Sequence, residues 1–158
     1  QPWGNGITRK TEYRPLPCPY LRKEFKLNEN IESAKVYITA LGIYELHING
    51  ERVGKDYFTP GWTDYNKRIY YNAYDISSLL RQGENTIAVI LADGWYAGNI
   101  ADRGQHYYGK HLRLKAQLEI QREGNEPIVL ITDGSWKAAF GALREADMQA
   151  GETYDSRL

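Results

Sequence analysis

The chain has 158 residues, 42% hydrophobic and 25% charged, a composition that suits one globular domain with a buried core. Its 20 Lys and Arg balance 20 Asp and Glu, and this zero net charge gives no electrostatic ground for nucleic acid or an anionic membrane as partner. No apolar run reaches membrane-spanning length, the opening Gln1-Pro2-Trp3-Gly4-Asn5 lacks the pattern of a signal peptide, and the lone Cys18 excludes an internal disulfide.

Residues 1–18 are polar and rich in proline and read as an extended lead-in to one domain over 19–158. Leu21, Phe25 and Leu27 share one side of an alternating segment and predict a strand, with Lys23 on the apolar side marking a strand end or an edge. The strongest pattern follows: Ala34, Val36, Ile38, Ala40, Tyr44, Leu46 and Ile48 fall on one parity. This predicts one long strand, bulged or bent at Gly42 and closed by the Asn49-Gly50 hairpin turn. Ile69–Tyr74 predicts a further strand, and residues 75–83 a single helical turn capped by Asp75 or Ser77 and ended by Gly83. Ile87–Ala92 is apolar on both parities and predicts a central strand covered on both faces. Residues 112–121 alternate cleanly, and segments 128–132 and 136–140 flank a turn at Asp133-Gly134. Many short strands without helical periodicity give an antiparallel, all-β sandwich.

The three histidines have no metal-ligand spacing, and neither a phosphate loop nor a nucleophile elbow is present. Carboxylates are so numerous on the loops that choosing a hydrolytic pair among them carries no information. Two loops are denser in chemistry. Residues 59–66 bring Trp62 and Tyr65 beside Asp64 and Asn66, and residues 93–99 bring Trp95 and Tyr96 beside Asp93 and Asn99. A sugar site wants an aromatic ring under its C–H face and short oxygen-bearing side chains on its hydroxyls. The competing reading is structural: the tryptophans plug the ends of the sandwich while Asp64 and Asp93 make turns.

The string Tyr37–Gly50, followed by Val53-Gly54, Pro60–Tyr65, Tyr74–Ile76, Gly83–Asn85, Asp93–Gly98, Thr132–Lys137 and Gly151–Arg157, resembles the amino-terminal domain of bacterial α-L-rhamnosidases. The resemblance covers roughly residues 19–157. It implies a jelly-roll, galactose-binding-like sandwich, accessory to an enzyme that releases terminal α-L-rhamnose with inversion. The catalytic carboxylates of that family lie in a separate helical barrel domain, so no catalytic residue is assigned to this chain. The implied partners are an L-rhamnose-containing glycan and that barrel, with calcium as a candidate cofactor. Trp62, Asp64, Tyr65, Asp93, Trp95, Tyr96 and Asn99 are the candidate sugar-binding residues, and Asp64, Asp93 and Asn99 are the oxygen donors to consider for an ion. A purely structural domain, packing on the barrel or forming a dimer, is the alternative. The family's action on external glycans implies a secreted, periplasmic or cell-surface parent, with the cytoplasm left open.

Overall fold

The computed structural model describes residues 17–158; most of the lead-in expected over residues 1–18 therefore lies outside the described residues. Eleven strands are present among them: β1 (Pro19–Leu27), β2 (Ile31–Leu41), β3 (Ile43–Ile48), β4 (Glu51–Arg52), β5 (Asn72–Asp75), β6 (Gly83–Ala92), β7 (Arg113–Arg122), β8 (Asn125–Ile131), β9 (Lys137–Phe140), β10 (Leu143–Asp147) and β11 (Gly151–Tyr154). A five-stranded sheet has the order β4-β3-β6-β1-β9, and a four-stranded sheet the order β5-β2-β7-β8. Every pairing is antiparallel.

The two sheets face each other across one core. Val36, Ile38, Leu118 and Ile120 meet Leu46, Ile48, Ile87 and Val89 there, all essentially without exposure. Each such side chain stabilises the fold by roughly 1.5–3 kcal/mol relative to leaving it in water. Outward residues of the same strands are polar, as alternation requires; in β7 these are Arg113, Lys115, Gln117 and Gln121.

The single long strand expected around Gly42 is two strands in different sheets. At Gly42 the backbone takes φ +124°, and the chain leaves the four-stranded sheet for the five-stranded one. Inward parity continues from Ala40 to Tyr44 because both sheets turn the same face to one core. A Cβ at Gly42 would lie 2.6 Å from the Ala92 carbonyl oxygen, so glycine also permits the close approach to β6. β6 is the middle strand of its sheet, as its apolar run predicts.

Two other expectations shift. The strand expected over Ile69–Tyr74 is confined to Asn72–Asp75, since Thr39 Oγ1 donates to the Tyr70 carbonyl and residues 69–71 run alongside β2 outside regular pairing. The helical turn is a 3-10 turn over Ser77–Leu79. Asp75 Oδ1 accepts from the Ser77 amide (2.9 Å) and hydroxyl (2.6 Å), while Gly83 opens β6 at φ +93° rather than closing the turn. β9 pairs β1 only from Pro19 to Arg22, so Lys23 stands where that neighbour ends; its Nζ donates to Asp133 Oδ2 at 3.2 Å.

The β10–β11 hairpin was not expected from the sequence. It belongs to neither sheet and lies over the outer face of the five-stranded one, tied by Cys18 N to the Leu143 carbonyl (3.2 Å) and by Asp93 N to the Ala146 carbonyl (3.4 Å).

Candidate functional site

The loop after β4 returns to the sheet at Thr59, which forms an isolated antiparallel bridge with Tyr44. The Tyr44 amide donates to the Thr59 carbonyl (2.9 Å), and Thr59 Oγ1 donates to the Tyr44 carbonyl (2.8 Å). A tight turn follows, with a cis Thr59–Pro60 peptide and the Gly61 amide on the Phe58 carbonyl. Phe58 itself is held at φ +59°, a left-handed conformation that costs an aromatic residue on the order of 1–3 kcal/mol. The pinned neighbours hold it there, and they aim the half-exposed ring at Trp95.

The second loop leaves β6 as a one-turn helix, α1 (Gly94–Ala97). Gly94 has φ +53°, and a Cβ on it would press on Ile43 Cγ2 at 2.6 Å, so the turn lies hard against β3. This seats Trp95 over the first loop. Trp62 and Trp95 stack nearly parallel (ring centroids 6.3 Å, interplanar angle 6°), and Phe58 meets Trp95 edge-on at 6.2 Å. Trp62 keeps 49% of its surface in water. Beside this shelf, Tyr65 packs edge-on against Tyr96 (5.4 Å) and Tyr108 (5.0 Å), and Tyr107 continues the cluster. Burial, with Tyr108 adding to it, pushes the Tyr65 hydroxyl up to about 12, so it stays a neutral hydrogen-bonding group.

The candidate residues thus divide. Trp62, Trp95, Tyr65 and Tyr96 are brought together from the two loops. Asp64 serves its own turn: Oδ1 accepts from the Asn66 amide at 3.1 Å, and Lys67 Nζ lies 3.6 Å from Oδ2. Asp93 and Asn99 face inward at 8% exposure each. The Asn99 amide (2.7 Å) and Nδ2 (3.0 Å) both donate to Asp147 Oδ2, while Gln149 and Ala150 amides donate to Asp147 Oδ1. Burial alone would raise Asp147, yet the amides of Ala150, Asn99 and Gln149 hold it below the ordinary carboxylate range. Burial, then the Asp147 charge, pushes Asp93 up to about 6.

A raised carboxyl beside an ionised one has the outline of a glycosidase pair. Its geometry does not: Asp147 has both oxygens committed to four N–H donors and is 7% exposed. Asp147 fastens the hairpin to the second loop through Asn99, and the Asp93 backbone amide adds a bond to the Ala146 carbonyl. Of the oxygen donors considered for an ion, Asp64 accepts the Asn66 amide in its own turn and Asn99 donates both nitrogens to Asp147. Among the described residues no group of three His, Cys, Asp or Glu side chains gathers in metal-holding fashion.

Next to the shelf, a groove of about 440 Å³ runs over the outer face of the five-stranded sheet. Ile43, Ile90 and Ala92 form its floor, the β10–β11 hairpin one wall through Leu143, Ala146 and Met148, and Tyr57 with Phe58 the other. Arg52 braces that wall. It donates from Nε to Glu45 Oε2 (3.2 Å) and from its terminal nitrogens to the Gly54 and Asp56 carbonyls, with its guanidinium 4.6 Å from the Tyr57 ring centroid. The sequence reading missed Phe58, which stands one residue before the aromatic loop, and Asp147, one acidic residue among many.

A family model described as the α-L-rhamnosidase N-terminal domain matches residues 29–158. The chain belongs to that family. This rhamnosidase N-terminal domain is 43% identical over 156 residues to an α-L-rhamnosidase of Streptomyces avermitilis, spanning 98% of this chain and 15% of that protein. The solved structure of a Streptomyces avermitilis α-L-rhamnosidase complexed with L-rhamnose superposes with TM-score 0.86 at 45% identity, covering 89% of this chain and 14% of that one. Native α-L-rhamnosidase from Aspergillus terreus superposes with TM-score 0.88 at 40% identity, covering 96% and 18%. The chain spans about 15% of the length of the curated relatives it matches.

Proposed function

We propose that this domain is the carbohydrate-binding accessory module of an α-L-rhamnosidase, one that presents terminal α-L-rhamnose on the Trp62–Trp95 shelf. The observation that carries the reading is the shelf itself: two indoles from separate loops, stacked parallel, with Trp62 half in water. A core has no use for that exposure, whereas a sugar ring needs a flat apolar surface beside hydrogen-bonding groups. Tyr65 and Tyr96 pack edge-on to one another beside the shelf, with the Tyr65 hydroxyl donating to the Gly61 carbonyl at 3.4 Å. Asn99 and the Asp93 backbone amide hold the second loop to the hairpin, through Asp147 and the Ala146 carbonyl. The parent acts on external glycans and supplies its acid and base from elsewhere in its chain; purified alone, this domain is expected to turn over an aryl α-L-rhamnoside no faster than buffer does.

Calorimetric titration with L-rhamnose, in calcium and again in chelator, tests the reading. Saturable heat at about millimolar sugar is expected, the affinity of a single ring with few contacts. Trp62→Ala should abolish it while leaving the melting temperature nearly unchanged, because Trp62 is half exposed. Absence of heat in both buffers would remove the binding claim.

A second, structural reading draws on the apolar side chains exposed elsewhere: Val129 (52%), Ile131 (50%) and Tyr154 (65%). If the domain only packs on the parent's barrel, Tyr154→Ala destabilises the full-length enzyme and Trp95→Ala leaves its activity unchanged. The reverse pattern favours binding.

A further inference from the structure

Resting on the sugar-shelf reading, we infer that the groove between the hairpin and the Tyr57–Phe58 wall receives the aglycone, so that this module selects rhamnosides carrying a flat, aromatic leaving portion. Three observations carry this. First, the groove and the shelf share a wall: Phe58 lines the groove and meets Trp95 edge-on at 6.2 Å, so a ligand seated on the shelf extends into the groove without leaving protein surface. Second, the lining is predominantly apolar, with Ile43, Ile90, Leu143 and Met148 against Tyr57 and Phe58, which suits an aromatic plate and offers little to a second, hydroxyl-covered sugar. Of the polar lining, Glu45 and Arg52 are engaged with each other and with loop carbonyls, and Asp147 with backbone and side-chain N–H groups, while Glu152 adds an exposed carboxylate. Third, Phe58 is held in a backbone conformation unfavourable for a phenylalanine, and its ring is half exposed. Such a conformation at a ring with little core to fill marks a position shaped for contact. The volume, about 440 Å³, lies in the range of small-molecule sites.

Titrating the chain with methyl α-L-rhamnoside and with 4-nitrophenyl α-L-rhamnoside tests the inference. The aryl glycoside should bind at least about tenfold more tightly, a modest yield for burying one aromatic ring. Met148→Gln and Tyr57→Ala alter exposed groove residues and should erase most of that gain, leaving affinity for the methyl glycoside unchanged. Equal affinity for the two glycosides in the unaltered chain, or a gain that survives both substitutions, would overturn the aglycone site while leaving the sugar shelf standing. Failure of both glycosides to bind would overturn the shelf reading and this inference with it.

Discussion

Asp93 shows how far a residue's chemistry can depart from its sequence setting. In the sequence it begins an aromatic loop and looks like a hydroxyl-binding carboxylate; in the fold it is buried against Asp147, a residue far along the chain. No local pattern announces such a pairing. Trp62 and Trp95 stand out in the sequence because both lie among short polar residues between strands, and the fold stacks the two rings together. The Asp93 environment leads to a pH-dependent prediction. Its folded-state carboxyl is raised to about 6, so the stability it contributes is complete below the unfolded value of about 4 and is lost as pH rises through about 6. Asp93→Asn removes the ionisation at nearly constant shape. Urea unfolding should find variant and wild type alike near pH 4, and the variant more stable above about pH 7 by roughly 2–3 kcal/mol. A variant that is less stable at the higher pH would show that the charge is compensated in the fold. Cys18 belongs to the same buried neighbourhood. Burial, then the charges of Asp93 and Glu152, raises its thiol to about 12, and native protein should resist alkylation at neutral pH while unfolded protein reacts.

Period-two alternation carried most of the elements, because most strands here have one face on the core and one in water. The same rule hid the break at Gly42. Two sheets facing one core keep a common parity, so alternation runs through the crossing without a seam. Gly42→Ala should cost roughly 2–3 kcal/mol, through both its φ of +124° and the Ala92 carbonyl 2.6 Å from the added Cβ. A cost below about 1 kcal/mol would mean that the crossing relaxes easily. The β10–β11 hairpin was illegible for the opposite reason. Leu143, Arg144, Glu145 and Ala146 are all half-buried against the outer face of another sheet, so no alternation marks them. Asp147→Ala removes the acceptor for four N–H groups and should destabilise by about 2–4 kcal/mol. Hydrogen exchange should also accelerate at the Asn99, Gln149 and Ala150 amides. Unchanged exchange there would show that the hairpin is held by its backbone bonds alone.

At the scale of the molecule, zero net charge gives no electrostatic ground for nucleic acid or an anionic membrane as partner, and the strand pattern already pointed to a sandwich. The placement of the site needed the fold. Neither loop is a site by itself; the bridge between Thr59 and Tyr44 and the seating of Gly94 against Ile43 bring the two tryptophans into one shelf at one end of the five-stranded sheet. Membership of the rhamnosidase N-terminal family fixes what kind of domain carries that shelf. The indole N–H resonances report on it most directly. Titration of ¹⁵N-labelled protein with L-rhamnose should shift the Trp62 and Trp95 indole signals together along one saturating curve. The Trp136 signal, whose Nε1 donates to the Ile131 carbonyl at 3.0 Å, should stay in place. If the Trp62 and Trp95 signals do not move at saturating sugar, or move no more than that of Trp136, the shelf is not a sugar site.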